Sequence, residues 1–398
     1  MKNRPFLLLA PCILFLFHSM PRIYSQDVPP EKDGDRYSLE VGNVYFELNA
    51  DYGAQVSSLK VNNEEFLFPI SPPNMGGSTF WHSPQDEWGW PPAPVLDSDP
   101  YTGGIENNTI ILHSGTESNF DVSFTKTFYA SSADTSITII YNINNTGSNS
   151  TTLAPWEVTR VPAEGISLWP MGEGSITGDL AEYTEIISDI AWYGFEVSDI
   201  GSRKFFSDGA EGWFAHVDQD SILFVKQFAD VAFEEQAPGE GEIELWLTGD
   251  HSYIELENQG KYDEIPAEYQ SEYLVKWFVR KMPANISLSV GNQELVDYIN
   301  TLMDVPVTPN PVKPIIPAAF NAPIVADIFL LNGKVLISGL PGGHYKIEIF
   351  DITGNMVVTR DFYAKDRYDL YLTNTKPGIY VYKLAGTDYL GTGKLVIK

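Results

Sequence analysis

The chain of 398 residues carries 53 acidic and 25 basic side chains, which gives a formal net charge of −28 at pH 7. A field of this sign repels nucleic acids and anionic membrane surfaces, so we exclude both as partners. Hydrophobic residues make up 43% of the chain and aromatic residues 13%, values that indicate a globular protein.

The first 25 residues have the pattern of a secretory signal peptide. Lys2 and Arg4 precede an apolar run from Phe6 to Phe17, and small residues end the segment. The run is too short to span a bilayer, and no later segment offers 18 uninterrupted apolar residues, so we predict no transmembrane segment. Cleavage removes Cys12, the one cysteine, which excludes disulfides and thiolate metal sites from the mature chain.

Regular alternation of apolar and polar residues begins after a polar leader, residues 26–36. The stretches Tyr37–Leu48 and Gln55–Phe68 each have a turn signal at the centre, and both predict β-hairpins. Three more alternating stretches follow between Thr109 and Asn145. Several short strands at this spacing predict an all-β protein with packed antiparallel sheets.

Residues 76–93 read GGSTFWHSPQDEWGWPPA and interrupt this pattern. Paired glycines and three prolines break any regular element, so we expect a long ordered loop. Flat aromatic rings bordered by carboxylates suit sugars, because the rings cover the apolar face of a pyranose and the polar groups meet its hydroxyls. The alternative is an aromatic plug at the end of a sandwich. The candidate sugar-binding residues of the loop are Trp81, Asp86, Glu87, Trp88 and Trp90.

A second candidate stretch, Ala154–Arg160, places an aromatic residue between charged ones. With a period of two, Trp156 and Arg160 share one face of a strand and Glu157 lies on the other. Trp156 and Arg160 are candidate sugar-binding residues. The alternative for Glu157 and Arg160 is a structural ion pair. The following segment, Gly172–Asp208, is rich in Gly, Ser and Asp and shows no clear period.

Residues 44–68, VYFELNADYGAQVSSLKVNNEEFLF, resemble the opening of galactose-mutarotase-like (aldose epimerase-like) domains. The run Leu256-Glu257-Asn258-Gln259 resembles the strand that carries the catalytic glutamate in that family. Residues 76–93, residues 154–160 and the run Glu255-Leu256-Glu257-Asn258 are together similar to a family of secreted bacterial domains of unknown function in the same superfamily. The resemblance implies a large antiparallel β-supersandwich over residues 37–304.

By this resemblance Glu257 is a general base at the anomeric centre of a sugar, with Gln259 beside it. The family pairs that base with a histidine in a His-x-Tyr-x-Asn segment, which this sequence lacks. His82 is the candidate acid in its place, and Glu157 is the third candidate catalytic residue. The acidic charge disfavours polyanionic glycans and favours a neutral sugar.

Two other functions remain open. Asp86, Glu87, Glu157, Glu255 and Glu257 offer several carboxylate pairs for a glycoside-active enzyme. A non-catalytic surface or matrix protein is the third class.

No cofactor or metal is expected. The sequence has no Walker loop, dinucleotide fingerprint, His-Glu-x-x-His helix or Gly-x-Ser-x-Gly elbow. So acidic a domain suits Ca²⁺, but no run such as Asp-x-Asp-x-Asp-Gly supports a calcium site.

The end of the chain forms a separate part. A short helical pattern over Gly291–Met303 precedes a Pro-rich linker, residues 305–323, and a small β-domain, residues 324–398. Its strand with Asp-x-x-Gly, its Pro-Gly-Ile-Tyr run and its terminal Lys-containing strand resemble the C-terminal sorting domain of type IX secretion. The resemblance implies an Ig-like sandwich, recognition by the secretion machinery, and release or surface attachment at the outer membrane of a Gram-negative bacterium after the tail is removed.

Overall fold

The computed structural model describes residues 28–69, 76–195, 201–303, 307, 312–314, 327–331, 334–351, 356–371, 376, 378–386 and 389–397. These residues belong to two compact units, one that ends at Lys313 and one that begins at Pro314. The predicted signal peptide and most of the predicted Pro-rich linker lie outside the described residues.

In the described residues, the first unit contains two antiparallel sheets of eleven strands each, the last of which ends one residue beyond the unit, at Pro314; the strands are numbered here in chain order over both sheets. The strands of the first sheet are β1 (Glu31–Asp33), β2 (Arg36–Val41), β3 (Val44–Asn49), β4 (Gln55–Val61), β5 (Glu64–Glu65), β6 (Ser78–Ser83), β11 (Thr151–Pro162), β15 (Arg203–Ser207), β18 (Ile243–Leu247), β19 (Tyr253–Gln259) and β20 (Asp263–Ile265). Those of the second sheet are β7 (Thr102–Glu106), β8 (Thr109–His113), β9 (Val122–Ser131), β10 (Ser136–Asn145), β12 (Ile166–Pro170), β13 (Thr184–Ile187), β14 (Ile190–Gly194), β16 (Trp213–Val217), β17 (Ile222–Gln227), β21 (Tyr269–Lys281) and β22 (Lys313–Pro314).

The order of strands decides which residues meet. The first sheet runs β1-β2-β3-β4-β6-β11-β19-β18-β15, and the second runs β13-β14-β12-β16-β17-β21-β10-β9-β8-β7. Strands β6, β11 and β19 are therefore central, although long stretches of chain separate them.

The main core lies between the two sheets. Phe80 of β6 stacks on Tyr141 of β10 with ring centroids 4.2 Å apart, and Phe46 of β3 contacts both Phe128 and Trp277 of the second sheet. These rings are fully or almost fully buried. The predicted all-β supersandwich is confirmed.

The turn of the hairpin between β4 and β5 follows from its residue types. Asn62 and Asn63 have φ angles of 54° and 69°, the left-handed region that asparagine tolerates better than most residues. Two such residues in succession suit the tight turn of a two-residue hairpin.

The expected loop over residues 76–93 is wrong in its first half. Ser78–Ser83 forms β6, a central strand whose six residues are all buried. A strand covered on both faces shows no alternation of apolar and polar residues, which hid it in the sequence. Only the second half is irregular, with a 3₁₀ turn at Gln85–Glu87, and a short helix, α1 (Pro94–Asp97), follows the stretch.

Helix α2 (Gln293–Leu302) covers the second sheet on the side away from the main core. The side chain of Asn292 caps it by accepting a hydrogen bond from the backbone of Glu294. Leu295 and Ile299 are buried in a cluster with Leu168 and Trp213. Two other 3₁₀ turns occur at Ala181–Tyr183 and Phe233–Glu235.

The second unit contains a five-stranded antiparallel sheet. Its strands are β23 (Asp327–Leu331), β24 (Lys334–Asp351), β25 (Met356–Tyr371), β26 (Gly378–Gly386) and β27 (Tyr389–Ile397). Val335, Ile347, Ile349 and Leu384 are buried in its core. The predicted small C-terminal β-domain is thus present as a sheet.

Candidate functional site

Five neighbouring strands of the first sheet, β6, β11, β19, β18 and β15, form a surface that faces away from the main core. Trp156 of β11 pairs with Trp81 of β6, and Val158 pairs with Glu257 of β19. Paired residues of antiparallel strands point to the same face, so one face collects residues from all five strands.

A cavity of about 540 Å³, here called the main cavity, lies on this face. This volume is typical of a small-molecule site. Its aromatic lining residues are Trp81, Trp90, Trp156, Trp246 and Tyr253, and its charged lining residues are Asp179, Arg203, Lys204, Glu255 and Glu257.

Glu257 lies at the floor of the main cavity and is only 1% exposed. Its Oε2 accepts hydrogen bonds from Trp156 Nε1 at 2.9 Å and from Lys204 Nζ at 3.1 Å. Its Oε1 has no hydrogen-bond partner among the residues that the structure describes. A buried carboxylate oxygen without a donor is costly, so a ligand that supplies a donor is favoured here.

Lys204 bridges two carboxylates at this floor. Its Nζ lies 2.6 Å from Glu244 Oε2 as well as 3.1 Å from Glu257 Oε2, and 5.0 Å from the ring centroid of Trp156. Burial alone would lower the pKa of Lys204, but Glu257 and Glu244 outweigh it and raise the pKa above its ordinary value. Lys204 therefore keeps its proton and its positive charge.

Arg160 lies beneath the main cavity and forms an ion pair with a second carboxylate, that of Glu255. It is fully buried, and its Nε donates to Glu255 Oε1 at 2.8 Å while its guanidinium lies 5.5 Å from the ring centroid of Trp81. Burial raises the pKa of Glu255 to about 7; Arg160 opposes this shift and Glu257 adds to it. Glu255 therefore gains or loses a proton near neutral pH.

The rim of the main cavity is aromatic on two sides. Trp90 is 59% exposed, and its ring centroid lies 5.7 Å from that of Trp81. Trp246 and Tyr253 line the β18 side, with their ring centroids 5.9 Å apart. The cavity therefore has aromatic rings both on its β6 side and on its β18 side.

The structure brings several of the predicted site residues together. Trp81, Trp90, Trp156 and Glu257 line the main cavity. Arg160 and Gln259 lie beneath it: Arg160 holds Glu255, and Gln259 Nε2 donates to Glu244 Oε1 at 2.9 Å.

Asp86 and Glu87 do not line the main cavity. Both are exposed on the 3₁₀ turn that follows Pro84 at the end of β6, whereas Gln85 and Trp90 on either side of them line the cavity. The expectation that they border the aromatic rings as sugar-binding carboxylates is corrected by this placement.

Glu157 is not at the cavity either. It is fully buried on the core side of β11, where Tyr141 Oη donates to its Oε1 at 2.8 Å and Lys226 Nζ lies 3.0 Å from its Oε2. The alternation of β11 causes this, because consecutive residues of a strand point to opposite faces. The ion-pair alternative for Glu157 describes its contacts, although its partner is Lys226 rather than Arg160.

His82 and Trp88 line a second cavity of about 150 Å³, separated from the main cavity by Trp81. His82 contacts Phe120 with ring centroids 4.8 Å apart, and burial lowers its pKa to about 4. The imidazole is therefore neutral near pH 7. His82 lines this second cavity and Glu157 lies on the core side of β11, so the structure places neither of these candidate catalytic residues beside Glu257.

Lys204, Glu244, Trp246 and Tyr253 were not predicted from the sequence. Three of them follow a visible signal: Glu244 and Trp246 alternate with apolar residues along β18, and Tyr253 begins the same pattern in β19. Lys204 lies in β15, within the segment that shows no clear period.

Within the described part of the chain, no group of three or more His, Cys, Asp or Glu side chains is placed to hold a metal ion. Among the same residues, no helix is both long and apolar enough to cross a membrane.

The fold and the cavity define an all-β sandwich protein with an aromatic and acidic cavity on the outer face of one sheet. Residues 306–398 match the family model described as the secretion system C-terminal sorting domain. The predicted resemblance of the tail to a sorting domain is confirmed. Such a domain indicates interaction with the secretion machinery and either secretion or attachment to the outer-membrane surface.

Solved structures similar to the chain include a galactose mutarotase-like protein and putative aldose 1-epimerases. A galactose mutarotase-like protein from Clostridium acetobutylicum is 11% identical, with 64% of this chain and 98% of that chain covered and a TM-score of 0.46. A putative aldose 1-epimerase from Escherichia coli K12 is 9% identical, with 62% and 99% covered and a TM-score of 0.44. One from Klebsiella pneumoniae is 9% identical, with 70% and 88% covered and a TM-score of 0.45. No curated protein sequence matches the chain.

Proposed function

We propose that the main cavity binds a carbohydrate. The observation that carries this proposal is the combination of aromatic rings on two sides with Glu257 at the floor. Its volume of about 540 Å³ suits a monosaccharide or the end of a longer glycan. The rings cover the apolar face of a sugar, and the unpartnered Oε1 of Glu257 accepts a hydrogen bond from a hydroxyl.

Binding is tested with the purified protein on a glycan array, followed by calorimetry with the glycans that bind. We expect Trp246→Ala to weaken binding at least about tenfold, because the ring that stacks on the sugar is lost. Phe233→Ala is the matched control, since Phe233 is 53% exposed and does not line the main cavity. If no glycan binds, or if both variants behave alike, the proposal fails.

Catalysis at the anomeric centre is the second candidate function. It is favoured by Glu257 and Glu255, which lie two residues apart on one face of β19 and both line the main cavity. Glu257 would take the proton of the anomeric hydroxyl as the bond from C1 to the ring oxygen breaks. The ring oxygen would take a proton from Glu255, and the two transfers reverse when the ring closes.

Exchange between sugar anomers, followed by NMR, tests this second function. We expect acceleration over buffer, with a loss of about 10²- to 10⁴-fold in Glu257→Gln. Because Glu255 must be protonated and its pKa is about 7, the rate should fall as the pH rises above neutral. If sugars bind without acceleration, the catalytic function is excluded and the binding function stands.

A further inference from the structure

The floor of the main cavity and the layer of side chains directly beneath it contain one more carboxylate than cation. Glu255 and Glu257 line the cavity and Glu244 is buried beneath it, and the cations in contact with these carboxylates are Lys204, which lines the cavity, and Arg160, which lies beneath it. Each cation already forms ion pairs at 2.6–3.1 Å, as described above. One negative charge is left without a counter-charge unless the floor keeps a proton or a ligand brings a cation.

The surrounding groups do not supply the missing positive charge: Lys226 interacts with Glu257 from the core side, but it is already paired with Glu157 at 3.0 Å. Asp179 and Arg203 at the rim carry opposite charges. Glu240, whose carboxylate accepts a hydrogen bond from Gln85 N at 2.8 Å, adds negative potential at Lys204 and Glu244. The pKa of Tyr253 is raised by burial and by Glu255, so its hydroxyl is neutral.

Unsatisfied hydrogen-bonding atoms show the same imbalance. In the described part of the structure, the buried acceptors Glu257 Oε1 and Gln259 Oε1 near the floor lack a donor, while Glu244 Oε2 lies 2.6 Å from the ammonium of Lys204. One donor, Arg160 Nη2, lacks an acceptor. A primary ammonium has three donors and no acceptor, so it satisfies this excess of unpaired acceptors better than a hydroxyl does.

The aromatic walls also favour a cation. Lys204 over Trp156 and Arg160 over Trp81 already form cation–π contacts in this region. Ring faces attract positive charge, and the effect increases when the cation is removed from water.

We propose that the ligand of the main cavity is an amino sugar whose primary ammonium donates to Glu257 Oε1 while its ring lies between the aromatic walls. This inference rests on the proposed carbohydrate binding and replaces the neutral sugar expected from the sequence. A bound ammonium favours the ionised form of Glu255, so the amino sugar is a ligand rather than a substrate for the exchange reaction.

The test is calorimetry of the full chain with three matched sets of sugars at about pH 6, where a sugar amine is protonated. The sets are glucosamine, galactosamine and mannosamine, each beside its neutral parent and its N-acetyl form. We expect at least one amine to bind about tenfold or more tightly than both neutral forms. If the neutral forms bind equally well, the inference is overturned and carbohydrate binding stands. If no sugar binds here or on the glycan array, both are overturned.

Two variants separate a specific ammonium contact from general attraction to an acidic protein. Glu257→Gln removes the charge at the floor but keeps the side-chain shape, and should lower amine affinity at least about tenfold. Glu40→Gln removes an exposed charge on β2, away from the main cavity, and should leave the affinity unchanged within about twofold. Equal losses in the two variants contradict the inference. Unchanged circular dichroism and melting temperature establish that Glu257→Gln is folded.

Proton release supplies a readout that is independent of affinity. Burial raises the pKa of Glu255 to about 7 and shifts the pKa of Glu244 in the same direction. An incoming ammonium lowers these pKa values, and its binding should release protons in proportion. Calorimetry in two buffers of different ionisation enthalpy measures this release. Proton uptake, or no exchange of protons, contradicts the inference.

Discussion

Position along strand β11 decides which face of the sheet a side chain occupies, as Trp156, Glu157 and Arg160 show. Trp156 and Arg160 point toward the main cavity, and Glu157 points into the core. Residues that are adjacent in sequence therefore have separate roles, one at the cavity and one in the core. Glu157 and Lys226 form a buried ion pair, an arrangement in which removal of one partner leaves an uncompensated charge.

His216 permits a prediction about stability in acid. It is 1% exposed on β16, its Nδ1 lies 3.0 Å from Ser167 Oγ, and burial lowers its pKa to about 3. The unfolded chain binds this proton near pH 6.5 and the folded chain only near pH 3. Its contribution to stability is therefore present above about pH 6.5 and is lost as the pH falls.

Between about pH 6.5 and pH 4, the free energy of unfolding should fall less in His216→Gln than in the native protein. We expect the two falls to differ by about 3 kcal/mol at pH 4. Urea unfolding at a series of pH values measures the difference. His113→Gln is the control, because His113 is half-buried and should change the profile less. A parallel profile in His216→Gln would show that its titration does not limit acid stability.

At the scale of elements, helix α1 contacts strand β6 and the turn before β4, and these contacts hold Trp81 in the wall of the main cavity. Asp97 of α1 accepts hydrogen bonds from Trp81 Nε1 at 2.8 Å and from Thr79 Oγ1 at 3.1 Å. The backbone of Gly53 lies directly against that of Asp97, where an added Cβ would be 1.7 Å from the carbonyl oxygen of Asp97. The φ angle of Gly53 is also positive, at 61°.

Gly53→Ala should therefore destabilise the protein by about 2–4 kcal/mol. Alanine disfavours the left-handed backbone conformation, and its Cβ would clash with the backbone of Asp97. Gly34→Ala isolates the backbone effect, since Gly34 has a φ angle of 59° and nothing lies within 4 Å of an added Cβ. We expect it to cost about 1 kcal/mol. Denaturant unfolding compares the two variants, and equal costs would exclude the contact as a cause.

At the scale of the whole molecule, the two units have separate tasks. The first contains the main cavity, and the second matches a sorting domain. Deletion of residues 324–398 should leave the protein in the periplasm, because the signal read by the secretion machinery is removed. Cell fractionation with an antibody against the first unit measures this. Undiminished appearance outside the cell would contradict the assignment.

Much of the first unit could be predicted, because its strands carry their own patterns. The hairpins of β2 to β5 and the strands β8 to β10 agree with local alternation. Strand β6 could not be predicted, since both of its faces are buried and the pattern of two disappears. Strand β15 was missed because it lies in a segment without a clear period, and Lys204 was missed with it.

The sequence by itself determined the all-β class, the faces of β11 and β19, and the C-terminal sorting domain, because each depends on local alternation or on a contiguous motif. Only the tertiary structure decided that Glu257 meets Lys204 and Trp156 rather than His82 and Glu157. The physical reason is that pairing between strands far apart in the chain depends on how buried faces fit together. No period within one strand specifies its neighbours.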